Sequence, residues 1–231
     1  MNDERSPLLI VHHPAFIVLP FILHPSSFII QIMLILAADT SLPLFSVALL
    51  REGDLLGAVA LEAKGSRNEK LLPAIDWLLS ENAVDRRSID LFAVTRGPGS
   101  FTGVRIGMAT IQGLALVLGR PVCAMSTHEA IALGSGRTGV ALADEAGRGE
   151  FYVSRYEGGV ETLAPSLAAA PEAGTLMVSD FLQRENVAVA CARRAHTIAS
   201  ANQLDRYADV TPIYVRLAEA EVKLQQKRNA G

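Results

Sequence analysis

The chain has 231 residues, 50% hydrophobic and 19% charged, with 18 Gly, 11 Pro and 2 Cys, which excludes a disordered chain, a collagen-like repeat and a disulfide-stapled scaffold. With 21 Lys and Arg against 24 Asp and Glu the net charge is −3, so there is no basic stripe to grip a phosphate backbone and any nucleic-acid role needs a partner. The length suits one two-lobed domain or two small ones, and Cys123 and Cys191, far apart in sequence, read as buried thiols of a reducing, cytoplasmic compartment.

The first 32 residues differ from the rest. Residues 6–38 hold no Asp, Glu, Lys or Arg, and Leu8 to Ile32 is apolar enough to suggest a span or a signal peptide. Pro14, Pro20 and Pro25 interrupt it, His12, His13 and His24 lie within it, and Asp3, Glu4 and Arg5 give it an acidic rather than a basic start. His13-Pro14-Ala15-Phe16-Ile17 is nearly repeated as His24-Pro25-Ser26-Ser27-Phe28-Ile29. The expectation is that Met33 is the biological start and residues 1–32 a non-native or disordered extension. A membrane anchor is the competing reading.

From Met33 on, strands and helices alternate. Leu34 to Thr40 is an apolar run of strand length. Phe45 to Arg51 and Leu55 to Leu61 follow around the Glu52-Gly53-Asp54 turn, which predicts a β-meander. Asn68 is placed to cap a helix over Glu69 to Ser80, with Pro73 near its first turn, where a missing N–H is best tolerated. Leu91 to Thr95 reads as a buried strand, Gly97 to Gly103 as a tight loop, and Val104 to Leu118 as a helix stopped by Gly119 and Pro121. Beyond it, Val122 to Met125, Val140 to Ala143, Phe151 to Tyr156 and Val187 to Cys191 read as strands, with a Gly/Ala/Pro-rich connector around 158–174 and a polar helix from about Ala218 to Arg228. The predicted organisation is a first α/β lobe over 33–121, a smaller second lobe over 122–214 and a C-terminal helix within 215–231.

Two constellations have the character of a binding site. Gly97-Pro98-Gly99-Ser100-Phe101-Thr102-Gly103 lies between a strand and a helix. Its glycines permit close backbone approach, and the helix N-terminus beyond offers unpaired N–H groups to an anion. It is neither a Walker loop nor a Gly-x-Gly-x-x-Gly turn, and a compact strand-to-helix connection is the equal alternative. Asp39-Thr40-Ser41 ends the first strand, where ligands gather in open α/β sheets, so Asp39, Thr40, Ser41, Gly97, Gly99 and Ser100 are the candidate nucleotide or anion residues. For Asp39 a local bond to the backbone of the turn before Pro43 is the favoured alternative.

Other chemistry finds no support. The five histidines, His12, His13, His24, His128 and His196, form no His-x-x-x-His or His-Glu-x-x-His pair, so no metal site is expected. Neither cysteine sits in a nucleophile motif, no Gly-x-Ser-x-Gly elbow is present, and His128 reads as a helix-start residue rather than a base.

The helices carry a clearer signal. Leu71, Leu72, Ile75, Leu78 and Leu79 share an arc of about 120°, the width of a core-facing stripe, while Trp77, the only Trp, points away with Lys70, Pro73 and Ala74 beside it. The next helix is apolar nearly all round. Val104, Met108, Ile111, Ala115 and Leu118 form one face, and Ile106, Ala109, Gly113 and Val117 a second, small-residue face. Gly within a helix costs about 0.8–1 kcal/mol relative to Ala, so Gly107 and Gly113 need a packing reason. Lys70, Pro73, Ala74, Trp77, Ile106, Ala109 and Gly113 are therefore the expected partner interface. Coverage by the second lobe or the C-terminal helix is the alternative.

Ile35-Leu36-Ala37-Ala38-Asp39-Thr40-Ser41, Asn68-Glu69-Lys70-Leu71-Leu72-Pro73, Gly97 through Gly107 and Pro212-Ile213-Tyr214-Val215-Arg216 closely resemble the TsaB family, also called YeaZ, over about Met33 to Tyr214 and most strongly up to Met125. The resemblance implies an actin-like, Hsp70-like ATPase fold of the ribonuclease H-like class, with two lobes and a reduced second one. It implies a non-catalytic subunit for making threonylcarbamoyladenosine in tRNA, beside the anticodon. Its catalytic paralogue would be a TsaD-like threonylcarbamoyltransferase held through the first-lobe helices, the same surface allowing a homodimer. A TsaE-like ATPase would join, and a TsaC relative would supply threonylcarbamoyl-AMP. On this reading the chain needs no cofactor, ATP and metal belong to partner subunits, tRNA is met only through the complex, and no membrane is involved.

Two departures stand out. Arg67-Asn68-Glu69 replaces the family's usual His-Ser-Glu, and Asp144-Glu145-Ala146-Gly147-Arg148 replaces Asp-Ala-Arg, which puts in doubt a ligand role for that turn. The alternative function is a weak ATPase using Asp39 and the glycine loop, or a glycoprotease-like peptidase. Either needs a nucleophile activation that these residues do not display.

Overall fold

The computed structural model describes residues 33–62 and 67–216; the 1–32 extension and the helix expected from about Ala218 lie outside them. The chain runs through β1 (Leu34–Asp39), β2 (Leu44–Arg51), β3 (Asp54–Glu62), α1 (Arg67–Glu81), β4 (Leu91–Thr95), α2 (Phe101–Leu118) and β5 (Val122–Met125). It continues through α3 (Thr127–Gly134), β6 (Gly139–Gly147), β7 (Glu150–Glu157), β8 (Val160–Ala168), β9 (Leu176–Met177), α4 (Val178–Leu182) and α5 (Val187–Ser200). One sheet has the order β3-β2-β1-β4-β5, the other β8-β7-β6-β9. In the first, β1, β2 and β3 form the antiparallel meander that the sequence predicts, while β4 and β5 add in parallel, with Leu36 opposite both Leu49 and Phe92.

Alternation along β1 divides the core. Leu34, Leu36 and Ala38 turn to the side covered by α1 and α2, and Ile35 and Ala37 to the side covered by α3 and α5. Both faces are thus buried along β1, β2 and β4, which is why these strands read as continuous apolar runs, whereas the edge strand β3 is largely exposed. The carboxyl ends of β1, β4 and β5 lie side by side, and the loops that follow them build the site described below.

Several elements differ from the sequence expectation. Val122 to Met125 is the edge strand of the first sheet, not part of a second lobe, because it pairs with β4. Val187 to Cys191 is the opening of α5 rather than a strand. Asn186 caps it by accepting from Val189 N, and the buried run continues through Ala192, Ala195 and Ile198 at helical spacing. A run of only five apolar residues cannot separate the two periods, and α5 packs on the first sheet although it lies late in the chain. The connector around 158–174 contains β8, paired antiparallel with β7. α2 starts at Phe101 because Ser100 caps it, and α1 starts at Arg67, one residue ahead of Asn68, leaving Pro73 beyond its first turn.

Gly119 ends α2 in the left-handed conformation, φ 63°, as its sequence position requires. Among the described residues α2 is the helix long and apolar enough to cross a membrane by length and composition. Here its Val104, Met108, Ile111 and Ala115 face is buried against the first sheet.

Candidate functional site

The turn after β1 is held from three sides. Asp39 is fully buried; its Oδ1 accepts from the Ser41 hydroxyl at 2.6 Å, from the Thr95 hydroxyl and from Ser41 N, while its Oδ2 has no hydrogen-bond partner. Burial pushes the Asp39 carboxyl above its ordinary value, and the hydroxyl donors only partly oppose this. Thr40 donates to the Gly103 carbonyl at 2.6 Å, and Ser41 Oγ lies 2.9 Å from Thr127 Oγ1.

The glycine loop closes directly onto this turn. A Cβ on Gly99 would stand 2.4 Å from the Ser41 carbonyl oxygen, one on Gly103 2.0 Å from that of Thr40, and one on Gly107 2.2 Å from Thr40 Oγ1. Ser100 N donates to Ser41 O at 2.7 Å, and Gly103 N to Ser100 Oγ at 3.2 Å. The glycines thus let the first turns of α2 sit against the end of β1, and both of these loop donors have partners inside the chain.

The first turn of α3 joins the two sheets; His128 is the helix-start residue that the sequence suggests, but the sequence does not show the contacts that it and its neighbours make across the sheets. Ser126 caps α3 and its Oγ lies 2.9 Å from Tyr156 OH on β7, Thr127 reaches Ser41, and His128 Nδ1 lies 2.8 Å from Ser154 Oγ on β7. His128 is fully buried, its Nε2 has no partner, and burial pushes its pKa down to about 4. The available signal was the Ser126-Thr127-His128-Glu129 spacing, a capping-box pattern that marks a helix start.

Between this region and the second sheet lies a cleft of about 590 Å³ whose lining includes Ser41, Gly99, Ser100, Asp144, Glu145 and Arg216. Of the six anion candidates, Ser41, Gly99 and Ser100 reach it; Asp39, Thr40 and Gly97 are not among its lining residues. Its charge is mainly acidic. Burial, with Asp39 and Glu145 adding repulsion, pushes the Asp144 carboxyl up to about 6, and the Arg216 guanidinium is paired with Glu150. The Thr40–Ser41 backbone fills the glycine loop beside this cleft, so a nucleotide phosphate entering here would meet a closed loop and the Asp144 and Glu145 carboxylates. Among the described residues no group of three His, Cys, Asp or Glu side chains is gathered for a metal ion.

The second candidate surface is the outer side of α1 and α2, which pack against each other on the first sheet. Trp77 is 53% exposed, and Lys70, Pro73, Ala109 and Gly113 are exposed with it; Ile106 is half-buried. One expected interface residue is corrected. Ala74 is only 7% exposed and packs in the core, whereas Leu72, expected inside, is 45% exposed. Leu71, Ala74, Ile75 and Leu78 follow the three- and four-residue spacing of the buried face, and Leu72 lies at its rim. Leu116 and Val117 extend the outer face with exposures of 83% and 84%, and a Cβ on Gly113 would meet nothing within 4 Å. Among the described residues no contact therefore explains a glycine at that helix position.

The sequence family described as TsaD, tRNA N6-adenosine threonylcarbamoyltransferase, matches residues 56–211. An uncharacterised protein of Mycobacterium tuberculosis is 31% identical over 206 residues, covering 83% of this chain and 96% of that protein. The tRNA threonylcarbamoyladenosine biosynthesis protein TsaB of Escherichia coli is 37% identical over 129 residues, 54% of this chain and 55% of that protein. The solved structure of YeaZ from Pseudomonas aeruginosa superposes with a TM-score of 0.63 at 30% identity, covering 79% of this chain and 99% of that one.

Proposed function

The chain belongs to the TsaB (YeaZ) family, and from that premise we propose that it is a non-catalytic docking subunit. It binds a TsaD-like threonylcarbamoyltransferase and activates it in modifying the tRNA adenosine beside the anticodon. The observation that carries this reading is the exposed apolar face of α1 and α2, with Trp77, Leu116 and Val117 around the small residues Ala109 and Gly113. Large exposed aromatics anchor interfaces, and small residues admit a second helix at close range.

The match to the TsaD family supplies a reason for the pairing. Chains of like fold carry like helix pairs, which can pack about a pseudo-two-fold axis, and the same surface would join two copies of this chain. The acidic cleft and the self-filled glycine loop support leaving nucleotide chemistry to other subunits. We assign no cofactor to this chain, place ATP and metal on its partners, and include a TsaE-like ATPase among them. The net charge of −3 supports contact with tRNA through the assembled complex only, and we place that complex in the cytoplasm.

The test is reconstitution. The full chain, mixed with the TsaD-like protein of the same cells, is expected to elute as a 1:1 complex by light scattering. Threonylcarbamoyladenosine formation, read by mass spectrometry of digested tRNA, is expected to require its addition. Full activity of the paralogue without this chain overturns the reading.

A further inference from the structure

We propose that residues 209–216 form a strap that ties the first turns of α2 to the second sheet and so sets the docking helix for its partner, with Arg105 and Tyr214 as the positioning pair; the proposal rests on the docking role of α2 given above. After a short 3₁₀ turn at Leu204–Tyr207 the chain returns to the segment that follows β4. Asp209 pairs with Arg96 at 3.3 Å, and Arg96 also donates to the Thr211 carbonyl at 3.2 Å. Ile213 N donates to Arg96 O at 2.7 Å, and a Cβ on Gly97 would lie 2.9 Å from the Ile213 carbonyl oxygen, so glycine at the end of β4 lets the strap seat.

The strap then grips α2. The Tyr214 ring stacks on Phe101, centroids 4.7 Å apart. The Arg105 guanidinium lies 3.9 Å from the Phe101 centroid and donates through Nε to Tyr214 OH at 2.6 Å. Arg216, at the far end, donates to the Ala146 carbonyl at 3.2 Å and pairs with Glu150, on either side of the turn between β6 and β7. Within this short segment the chain touches the end of β4, the start of α2 and a hairpin of the second sheet.

Position gives these contacts their meaning. Thr102, Arg105, Ala109, Gly113 and Leu116 are exposed and follow each other at three- and four-residue spacing, so the strap holds α2 at the end of its outer face. Solvent-accessible or partly buried ion pairs and an exposed cation–π contact contribute modestly to folding, so a strap built from them is better matched to orientation than to stability. Both ends of the strap must be anchored for a shift of the second sheet to reach α2.

The test uses the full chain and the TsaD-like paralogue, with affinity by titration calorimetry and thermal unfolding of every variant. Tyr214→Ala and Arg216→Ala are each expected to weaken binding by about fivefold or more, within the usual range of coupling between sites. Tyr214→Phe, which keeps the stack, should restore most of the affinity. The Tyr214→Ala/Arg216→Ala double variant should bind no worse than Tyr214→Ala, because the two changes cut one connection. Unfolding temperatures should stay within about 2 °C of the parent. Arg216 touches no part of the docking face, so parental affinity in Arg216→Ala overturns the coupling, as does a loss of affinity that follows the unfolding temperature. If the parental chain does not bind the paralogue, the docking reading falls and the strap proposal with it.

Discussion

Thr40 and Gly103 are interlocked: the Thr40 hydroxyl donates to the Gly103 carbonyl, and any Cβ at Gly103 would press within 2.0 Å of the Thr40 carbonyl oxygen. The contact seats α2 on the central strand β1. Gly99 and Gly107 admit the same turn from either side, so the glycine run is a fitted joint between a strand end and a helix start.

Identical substitutions within α2 should then have opposite signs. Gly103→Ala forces backbone apart in a packed region and is expected to lower stability by roughly 3 kcal/mol or more. Gly113→Ala meets open space and should raise it by about 0.5–1 kcal/mol through helix propensity. Urea unfolding followed by circular dichroism measures both, and a neutral Gly103→Ala contradicts the joint.

The outer helical face makes a separate prediction. Ala109→Arg should remove binding of the TsaD-like paralogue while leaving the fold intact, and Trp77→Ala should weaken it by about 2 kcal/mol, near thirtyfold. Ala74→Arg should instead unfold the chain, since Ala74 is core. Retained binding in Ala109→Arg moves the interface elsewhere.

His128 sets a pH dependence. Its folded-state pKa is lowered from 6.5 to about 4, so as pH falls between these values the unfolded chain takes up the proton first and stability is lost. The full penalty, reached below both values, is about 3 kcal/mol at about 1.4 kcal/mol per unit. Asp144 acts oppositely. Its pKa is raised from 3.8 to about 6, so the folded chain protonates first and gains stability as pH falls through 6. Asp144→Asn should steepen the acid loss and His128→Gln should flatten it, read from denaturant midpoints at pH 7, 6, 5 and 4.5.

Asp39 gives a fourth outcome. Its pKa is raised, so its charged form weakens the fold at neutral pH and the deficit fades as pH falls and the folded carboxyl protonates. Asp39→Asn, which keeps an oxygen acceptor for Thr95 and Ser41, is expected to be more stable at pH 7, with the gain shrinking under acid. The pure chain should leave ATP intact, as should Asp39→Ala. Turnover abolished by Asp39→Ala would make this chain an ATPase.

Legibility followed the range of the interactions. The meander, the β4–loop–α2 unit, the Gly119 stop and the outward Trp77 rest on patterns within a dozen or so residues and could be read from sequence. The joint at Ser126-Thr127-His128 could not, because its partners Ser41, Ser154 and Tyr156 lie in other strands or loops. Leu72 and Ala74 exchanged places because hydrophobicity alone ranks Leu inside, whereas the axis of α1 over the sheet decides which residue the core receives.

The sequence by itself determined the order of most elements, the absence of a nucleophile or metal motif, and a family resemblance carried by four short stretches, since propensity, turn chemistry and period act between near neighbours. Tertiary structure alone decided that Val187 to Cys191 is helix, that Val122 to Met125 closes the first sheet, and that the glycine loop embraces Thr40 and Ser41. The pairing partner of a strand and the space left beside a glycine belong to segments distant in the chain, and only packing brings those segments together.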